Sequence, residues 1–311
     1  MAHRIPFPDT KPGVKVFVVL FLVLFFIFIF SVIGILIGVV VYGKELSDIV
    51  TSLTATGAHA DRSLLYLFQF VNQLGFLFAP VVVAAWFYTD NSKAWLRLNR
   101  SPAFFLILAG LSIFTILPFI NWLGDVNAQM TFPKALSWLG DWMRAEESKA
   151  DQLTQFFLSV KTPGGLAMNL FIIALVPAVG EELLFRGLLQ RLFNEWTRSI
   201  PVGVFITAFL FSAIHFQFFG FLPRFLLGLM LGIMLEITQS LWVPVTAHFV
   251  NNATLVILYY LHYNGYTAIK MEEFGSSSHF YIILLSLLLT AYLFYRMYTY
   301  RNKENGLIRE R

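Results

Sequence analysis

The sequence predicts an all-α, polytopic membrane protein, a bundle of about eight transmembrane helices with a polar cavity inside the membrane. Of its 311 residues, 58% are hydrophobic and only 13% are charged, whereas a soluble domain is typically about half apolar and a quarter charged. The hydrophobic residues are grouped in runs of about twenty or more, the length that a helix needs to cross a bilayer. The chain contains no cysteine, which excludes disulfides, thiolate metal sites and a cysteine nucleophile.

The hydrophobic runs define the predicted spans. The first run is too long for the core of a signal peptide and lacks a small-residue cleavage site, so we expect it to be retained as a transmembrane helix. The later runs have the ordinary length of a membrane-crossing segment. The predicted spans are residues 14–42, 64–88, 102–124, 164–196, 200–219, 222–239, 242–262 and 279–298.

The distribution of charge orients these spans. Arginine and lysine cluster before the first span, between the second and third, at the end of the fourth and after the last. All of these clusters fall on one side of the membrane if the spans number eight. The positive-inside rule assigns that side to the cytoplasm, so both termini are predicted to be cytoplasmic. The net charge of +4 reflects these basic loops and does not indicate nucleic-acid binding.

The chain is predicted to form one integral membrane domain made of three successive stretches. Residues 1–163 hold the first three spans and an outer loop, residues 164–262 hold the core of spans four to seven, and residues 263–311 hold the last span and a basic cytoplasmic tail. Between Lys134 and Val160 the outer loop carries apolar residues at helical spacing. This segment is predicted to be either a helix on the outer surface of the bundle or a solvated connection.

A charged cluster lies at the end of an otherwise apolar run and contains Glu181, Glu182 and Arg186. A charged side chain in hydrocarbon loses its hydration, at a cost of ~3 to more than ~10 kcal/mol, so such residues usually face a cavity and mark a functional site. Glu182 and Arg186 are at i and i+4, which favours an ion pair along the helix. Glu181 points about 100° away from Glu182 and has no partner on its own helix, so we expect it to act as a base.

Further polar residues lie in two later spans. His215 is in the fifth predicted span, and His248 and Asn252 share one face of the seventh, at i and i+4. Each of them could merely bridge helices by hydrogen bonding. Because these residues and Glu181 lie on separate spans, they could instead surround one cavity inside the bundle.

Other polar residues within the spans are given structural interpretations. Gln69, Asn72 and Gln73 share a face of the second span, which predicts interhelical hydrogen bonds or the lining of a polar cavity. Glu236 lies near the inner end of the sixth span. We expect it to reach the membrane interface or a neighbouring helix, and do not assign it a catalytic role.

The motifs Glu181-Glu182-xxx-Arg186, Phe211-xxx-His215 and His248-xxx-Asn252 resemble those of the CAAX protease and bacteriocin-processing (CPBP) family of intramembrane endopeptidases. The resemblance covers about residues 164–262 and makes that stretch the catalytic core. It implies peptide hydrolysis in which Glu181 activates a water molecule with help from His215. It further implies that His248 and Asn252 stabilise the tetrahedral oxyanion, while Glu182 and Arg186 hold the site in shape.

Two versions of this chemistry are compatible with the residues. The family has been described as metalloproteases, and Glu181, His215 and His248 would make a reasonable set of zinc ligands. Against zinc, the sequence has no His-Glu-xx-His motif, and Asn252 beside His248 suits an oxyanion hole better than a ligand shell. We therefore favour a glutamate mechanism that needs no cofactor, and zinc is the alternative.

Two functions of other classes are alternatives to proteolysis. Intramembrane glutamate and histidine also serve proton relays, so a proton-coupled transporter is the first alternative, although no inverted repeat is visible. A non-enzymatic scaffold or immunity factor that keeps the protease fold is the second. The predicted partners are the lipid bilayer and a membrane-associated peptide or protein substrate, lipidated or unmodified.

Overall fold

The computed structural model describes residues 7, 9–54, 61–270, 273–304 and 306, and every regular element in these ranges is helical. The helices follow one another with short connections, apart from the longer segment between α10 and α11. In chain order they are α1 (Pro12–Tyr42), α2 (Leu46–Thr54), α3 (Arg62–Tyr88), α4 (Ser92–Trp95), α5 (Ala103–Ala128), α6 (Ser137–Leu158), α7 (Pro163–Thr197), α8 (Ile200–Ala213), α9 (Phe221–Thr238), α10 (Trp242–Tyr263) and α11 (Phe280–Glu304).

Each predicted span overlaps one of these helices, and the prediction of a helical membrane bundle is confirmed. Within the described residues, six helices are long and apolar enough to cross a membrane, namely α1, α3, α5, α7, α9 and α11. Helix α8 is apolar but has only 14 residues. Helix α10 has 22 residues but carries the polar His248, Asn251 and Asn252. The count of eight spans therefore stays a prediction.

The predicted fifth span, residues 200–219, is wrong at its end. Helix α8 stops at Ala213, and the chain then turns, with Phe216 at a positive φ of 52°. Phe218 and Phe219 extend the apolar run in the sequence, but they belong to the connection. The ring of Phe218 lies 5.3 Å from that of Trp142 on α6, and Phe219 lies under the guanidinium of Arg144. Hydropathy alone does not distinguish such a packed loop from a continuing helix.

Helices α3 and α7 both contain wide π-helical turns followed by a proline. In α3 the wide turn is Leu74–Phe78 and the proline is Pro80, and in α7 they are Leu170–Leu175 and Pro177. A proline inside a helix lacks an N–H donor and crowds the carbonyl four residues earlier, which lies within the wide turn in both helices. A second wide segment in α7 spans Glu182–Gln190. Such segments are rare and often occur at functional sites.

Apolar packing forms two large clusters, the first of which includes α7. Val19 of α1, Leu77 of α3 and Leu188 of α7 are almost completely buried in one cluster. A second cluster joins α5, α9, α10 and α11 through Phe105, Leu231, Val243 and Met297. Between helices in a membrane, close van der Waals packing matters more than the hydrophobic effect. The bundle therefore depends on how closely its helices fit.

Two glycines allow close approach beside the charged cluster. A Cβ on Gly180 would lie 2.7 Å from the ring of Phe78 and 2.8 Å from the side chain of Leu77. A Cβ on Gly228 of α9 would lie 3.1 Å from Ala208 of α8. Small residues at such contacts let helix backbones come together in membranes. Because Gly180 has no side chain, the backbone just before Glu181 can pack closely against α3.

The outer segment forms a helix, as one of its two sequence-based interpretations predicted. Helix α6 buries Gly140 and Met143 near its start and Phe157 and Leu158 at its end. Its middle is polar and mostly exposed. The helix is therefore attached to the bundle by apolar contacts mainly at its two ends.

The connection between α9 and α10 is fixed by the loop before α5. The backbone N–H of Leu241 donates to the carbonyl of Arg97 at 2.9 Å, and the hydroxyl of Ser240 donates to the carbonyl of Asn99 at 2.8 Å. These bonds locate the start of α10. The position of His248, two turns further along, follows from that start.

Glu236 reaches neighbouring elements, as expected. Its Oε1 accepts hydrogen bonds from Gln190 at 2.8 Å and Asn194 at 3.0 Å, both on α7, and its Oε2 pairs with Arg97 at 3.1 Å. Both oxygens of this largely buried carboxylate thus have protein donors. A buried charge satisfied in this way joins helices and has little capacity left for chemistry.

The polar face of α3 also makes interhelical hydrogen bonds. Asn72 accepts from the hydroxyl of Ser31 on α1 at 2.8 Å, and Gln73 donates to the carbonyl of Ile172 on α7 at 3.2 Å. These contacts match the hydrogen-bonding interpretation of this face. The Ile172 carbonyl lies in the first wide turn of α7, where the ordinary helical bonds are rearranged.

Candidate active site

Helix α7 supplies a buried ion pair at its centre. Nη1 of Arg186 lies 2.9 Å from Oε1 of Glu182, and both side chains are 0% exposed. Nη2 of Arg186 donates to the carbonyl of Gly228 on α9 at 3.1 Å, and the guanidinium lies 4.2 Å from the ring centroid of Phe211 on α8. The predicted i, i+4 pair is therefore present. It also ties three helices together.

His248 of α10 contacts both glutamates. Its Nδ1 lies 2.8 Å from Oε1 of Glu182, and its Nε2 lies 3.8 Å from Oε2 of Glu181. An ionised Glu182 can only accept, so Nδ1 carries the proton in this contact. The other ring nitrogen then faces Glu181, and it can donate only when the ring is doubly protonated. Glu182 thus sets both the orientation and the tautomer of His248.

Glu181 has free hydrogen-bonding capacity next to this pair. Its side chain is 14% exposed, yet Oε2 is buried and has no hydrogen-bond partner among the described residues. Oε2 of Glu182 and Nε of Arg186 are buried without partners there as well, although their other atoms are bonded. A buried polar atom without a partner is costly and calls for a ligand or water. Of the two acids, Glu182 is held by Arg186 and His248 at 2.9 and 2.8 Å, whereas Glu181 makes no contact as short with either residue.

His215 lies in the turn after α8 and contacts Phe211, the phenylalanine that also lies beside Arg186. Its Nδ1 lies 2.8 Å from the carbonyl of Phe211, and because a carbonyl only accepts, Nδ1 carries the proton. In the neutral ring Nε2 is then an acceptor. The imidazole contacts the ring of Phe211 edge to face at 5.3 Å, and the ring of His248 contacts the same phenylalanine at 5.8 Å.

Phe211 is thus the common neighbour of both histidines and of Arg186. It is 1% exposed and also packs edge to face on Phe185 of α7 at 5.5 Å. Sequence reasoning quoted Phe211 as part of a motif but gave it no role. An aromatic ring can satisfy a cation on its face and rings at its edge. Phe211 is therefore the shared packing partner of His215, His248 and Arg186.

Asn252 lies one turn beyond His248 on the same face of α10 and is half-buried. Its Oδ1 accepts from the side-chain amide of Asn251 at 3.1 Å. Among the described residues it has no hydrogen bond to Glu181, His215 or His248. Its own amide N–H groups consequently keep their capacity to donate to another molecule.

Arg224, in the first turn of α9, is a charged neighbour that sequence reasoning missed. It interacts electrostatically with Glu181 and with His215. Its guanidinium donates to Oε1 of Gln217 at 2.6 Å and to the Gln217 carbonyl at 3.3 Å. The sequence did contain a signal for Arg224, because an arginine at the start of a predicted span is as unusual as the charges in α7.

The proposed zinc ligands fit a metal poorly in this arrangement. Within the described residues no three histidine or carboxylate side chains form a group that could hold a metal ion. Nδ1 of both His215 and His248 is engaged with a protein acceptor, which is also the usual state of a metal-bound histidine, so these contacts do not argue against zinc. Glu181 and His248 do lie side by side, but no step below is assigned to a metal. Zinc stays an untested alternative.

Comparison with known proteins points to the same region. Residues 163–254 match the family model described as Rce1-like, type II CAAX prenyl endopeptidase. An uncharacterized protein of Bacillus subtilis (strain 168), YpbD, is 35% identical over 89 residues, which are 27% of this chain and 42% of that protein. The chain thus spans less than half of the length of that relative. No solved structure matches.

The matched region runs from the start of α7 into α10 and contains every residue of the site described above. The three motifs, their convergence around Phe211 and the family match therefore agree. This region is therefore similar to the Rce1-like family of type II CAAX prenyl endopeptidases, in agreement with the CPBP resemblance that the motifs indicated.

Proposed function

We propose that this protein is an intramembrane endopeptidase that hydrolyses a peptide bond of a membrane-associated protein or peptide. One observation carries the proposal. Oε2 of Glu181 is buried and without a hydrogen-bond partner in the described part of the chain, 3.8 Å from Nε2 of His248. The adjacent Glu182 is engaged with His248 and Arg186. This division leaves one carboxylate as a base and uses the other as a support.

In the first step Glu181 takes a proton from water while the water oxygen bonds to the scissile carbonyl carbon. The carbonyl electron pair moves onto its oxygen and gives a tetrahedral oxyanion. His215 orients the water, because its Nε2 is an acceptor when Nδ1 donates to the Phe211 carbonyl. General-base assistance of this kind contributes about 10²- to 10⁴-fold to a rate.

The oxyanion is stabilised by donors on α10. The amide N–H groups of Asn252 supply one donor, and Nε2 of His248 supplies another when it carries a proton. Glu182 holds the imidazole in place through Nδ1 at 2.8 Å. Removing one such donor from an enclosed site typically costs about 10²- to 10³-fold in kcat, or ~3–4 kcal/mol. The donors require no reorganisation because a helix and a buried ion pair fix them.

In the second step the oxyanion collapses and the carbon–nitrogen bond breaks. The leaving nitrogen takes the proton that Glu181 acquired from water, and the carboxylate is regenerated. The products are a peptide with a new carboxyl terminus and a peptide with a new amino terminus. One water is consumed, and no cofactor enters the balance.

We also propose that both termini face the cytoplasm. The backbone N–H of Phe7 donates to the carbonyl of Phe87 at the end of α3, and Phe17 packs on Trp196 at the end of α7. Near the other terminus, Tyr300 of α11 stacks on Phe104 at the start of α5. The basic residues Arg4, Arg309 and Arg311, on which the sequence-based orientation partly rested, lie outside the described residues. The positive-inside rule supports the proposal through the basic residues that remain.

Proteomics of protein termini in membranes tests the proposed reaction even before a substrate has been identified. Cells that express the wild-type protein are compared with cells that express equal amounts of Glu181→Ala. We expect a defined set of new termini, lipidated or unmodified, that is present with the wild type and lost with the variant. Identical sets of termini in both membranes would overturn the proposal.

A further inference from the structure

The segment that carries His215 is a short loop between α8 and α9, residues 214–220, which we term the His215 loop. Its position decides where the imidazole of His215 lies. The helix that leads into it has ended at Ala213, and Phe216 adopts a left-handed backbone conformation with φ of 52°. A non-glycine residue at positive φ is uncommon and persists where surrounding contacts hold it. The contacts that hold this loop therefore matter to the site.

The first contact comes from Arg224 on α9. Its guanidinium donates to both the side-chain oxygen and the carbonyl oxygen of Gln217, at 2.6 and 3.3 Å. The same cation interacts electrostatically with Glu147 and Asp151 of α6 as well as with Glu181. Arg224 is consequently the charge that links the loop, the outer helix and the proposed base.

The second set of contacts comes from α6. Oε2 of Glu147 accepts a hydrogen bond from the backbone N–H of Phe219 at 2.9 Å, and Oδ1 of Asp151 accepts from the side-chain amide of Gln217 at 3.3 Å. The guanidinium of Arg144 lies 4.6 Å from the ring centroid of Phe219. All of these contacts end on the His215 loop.

These three residues of α6 form one face of the helix. Arg144, Glu147 and Asp151 are separated by three and four residues, so their side chains point the same way. The middle of α6 buries no large apolar residue, because its buried residues lie at its two ends. Its polar face is therefore how the middle of the helix engages the bundle. The contacts of this polar face are therefore made with the His215 loop.

We propose that Glu147 and Arg224 are positioning residues for His215, and that α6 acts as a strap which holds the His215 loop over the reacting groups. The inference rests on the proposed function, since it assigns the loop a purpose in hydrolysis. Neither residue touches the substrate bond in this account. They act by limiting the motion of the loop, and a displacement of about 1 Å can cost a catalytic group about 10²-fold in rate.

Mobility of the loop is measured first, independently of any cleavage. The chain has no native cysteine, so Phe216→Cys, at a position that is 58% exposed in the native chain, can be labelled with a single nitroxide. Electron paramagnetic resonance in detergent then reports the motion of the loop. We expect Glu147→Ala and Arg224→Gln to increase the mobility of the label. Asp141→Ala, at an exposed acidic position on the same helix, is the matched control and should leave the spectrum unchanged.

Kinetics on an authentic substrate provide the second measurement, without the label. We expect Glu147→Ala to lower kcat about tenfold and to change KM less than about twofold, because the loop positions a reacting group and binds no substrate. Glu147→Gln should recover most of the loss, since its amide oxygen can still accept from Phe219. The double variant Glu147→Ala/Arg224→Gln should lose less than the product of the single losses, because both residues hold one loop.

The two measurements separate this inference from the proposed function. Increased loop mobility in Glu147→Ala, with a wild type that cleaves nothing, would support the strap and defeat the proposed hydrolysis. Unchanged mobility and unchanged kcat in Glu147→Ala would overturn the strap even if the wild type is an active protease. Equal mobility changes in Asp141→Ala would also overturn it, because the effect would then belong to α6 as a whole.

Discussion

Oε1 of Glu182 lies 2.8 Å from Nδ1 of His248, and this contact joins the centre of α7 to α10. The same oxygen lies 2.9 Å from Nη1 of Arg186. Glu182 is therefore shared between a cation and a histidine, and all three side chains are buried. The adjacent Glu181 has no such commitments. A substitution at Glu182 should consequently lower the stability of the protein, whereas one at Glu181 should abolish cleavage with little effect on stability.

Glu182→Ala is expected to destabilise the protein strongly. It would leave Arg186 buried without its carboxylate and His248 without its anchor, and breaking a buried ion pair by removing one partner typically costs about 3–5 kcal/mol. Thermal unfolding in detergent measures the effect. The control is Glu195→Ala, which removes an exposed i, i+4 pair with Arg191 and should change stability by less than about 1 kcal/mol. Equal melting temperatures for Glu182→Ala and the wild type would contradict this assignment.

Asn252→Ala is expected to reduce catalysis while leaving the fold intact. Its side chain is half-buried and bonded only to Asn251 in the described part of the chain, so little stability should be lost. If its amide donates to the oxyanion, kcat should fall about 10²- to 10³-fold with KM nearly unchanged. Asn251→Ala, one residue away, is the matched comparison. A similar kcat for Asn252→Ala and the wild type would remove Asn252 from the oxyanion site.

Chelation tests whether the reaction needs a metal. Because no metal-binding cluster is formed by the described residues, we expect cleavage to survive treatment with a strong chelator. Elemental analysis of the purified active protein accompanies the assay. Stoichiometric zinc whose removal abolishes cleavage, and whose return restores it, would establish the alternative in which Glu181, His215 and His248 are ligands.

Much of the fold could be predicted because its signals are local. Apolar runs of membrane length marked each helix that carries a predicted span, and the i, i+4 spacing of Glu182 and Arg186 was enough to predict their ion pair. The end of α8 at Ala213 could not be predicted in this way. The phenylalanines that follow it are as apolar as a span, and only their packing against α6 reveals that they form a loop.

The residues of the site could be predicted from the sequence, but the contacts between them could not. The order of the motifs indicated which residues belong together, while the choice of Glu182 over Glu181 as the anchor of His248 depends on the relative rotation of α7 and α10. The link from Arg224 to the His215 loop likewise requires the fold of α9 against α6. Such contacts between distant segments leave no periodic trace in a single sequence.

Glu181→Gln is the sharpest test of Glu181 as the base, because it removes the carboxylate while preserving the size and the hydrogen-bonding capacity of the side chain. The measurement is the cleavage rate of an authentic substrate by purified protein, with thermal unfolding recorded on the same samples. We expect cleavage to be abolished while the melting temperature stays within a few degrees of the wild type. Full cleavage activity in a folded Glu181→Gln protein would contradict it.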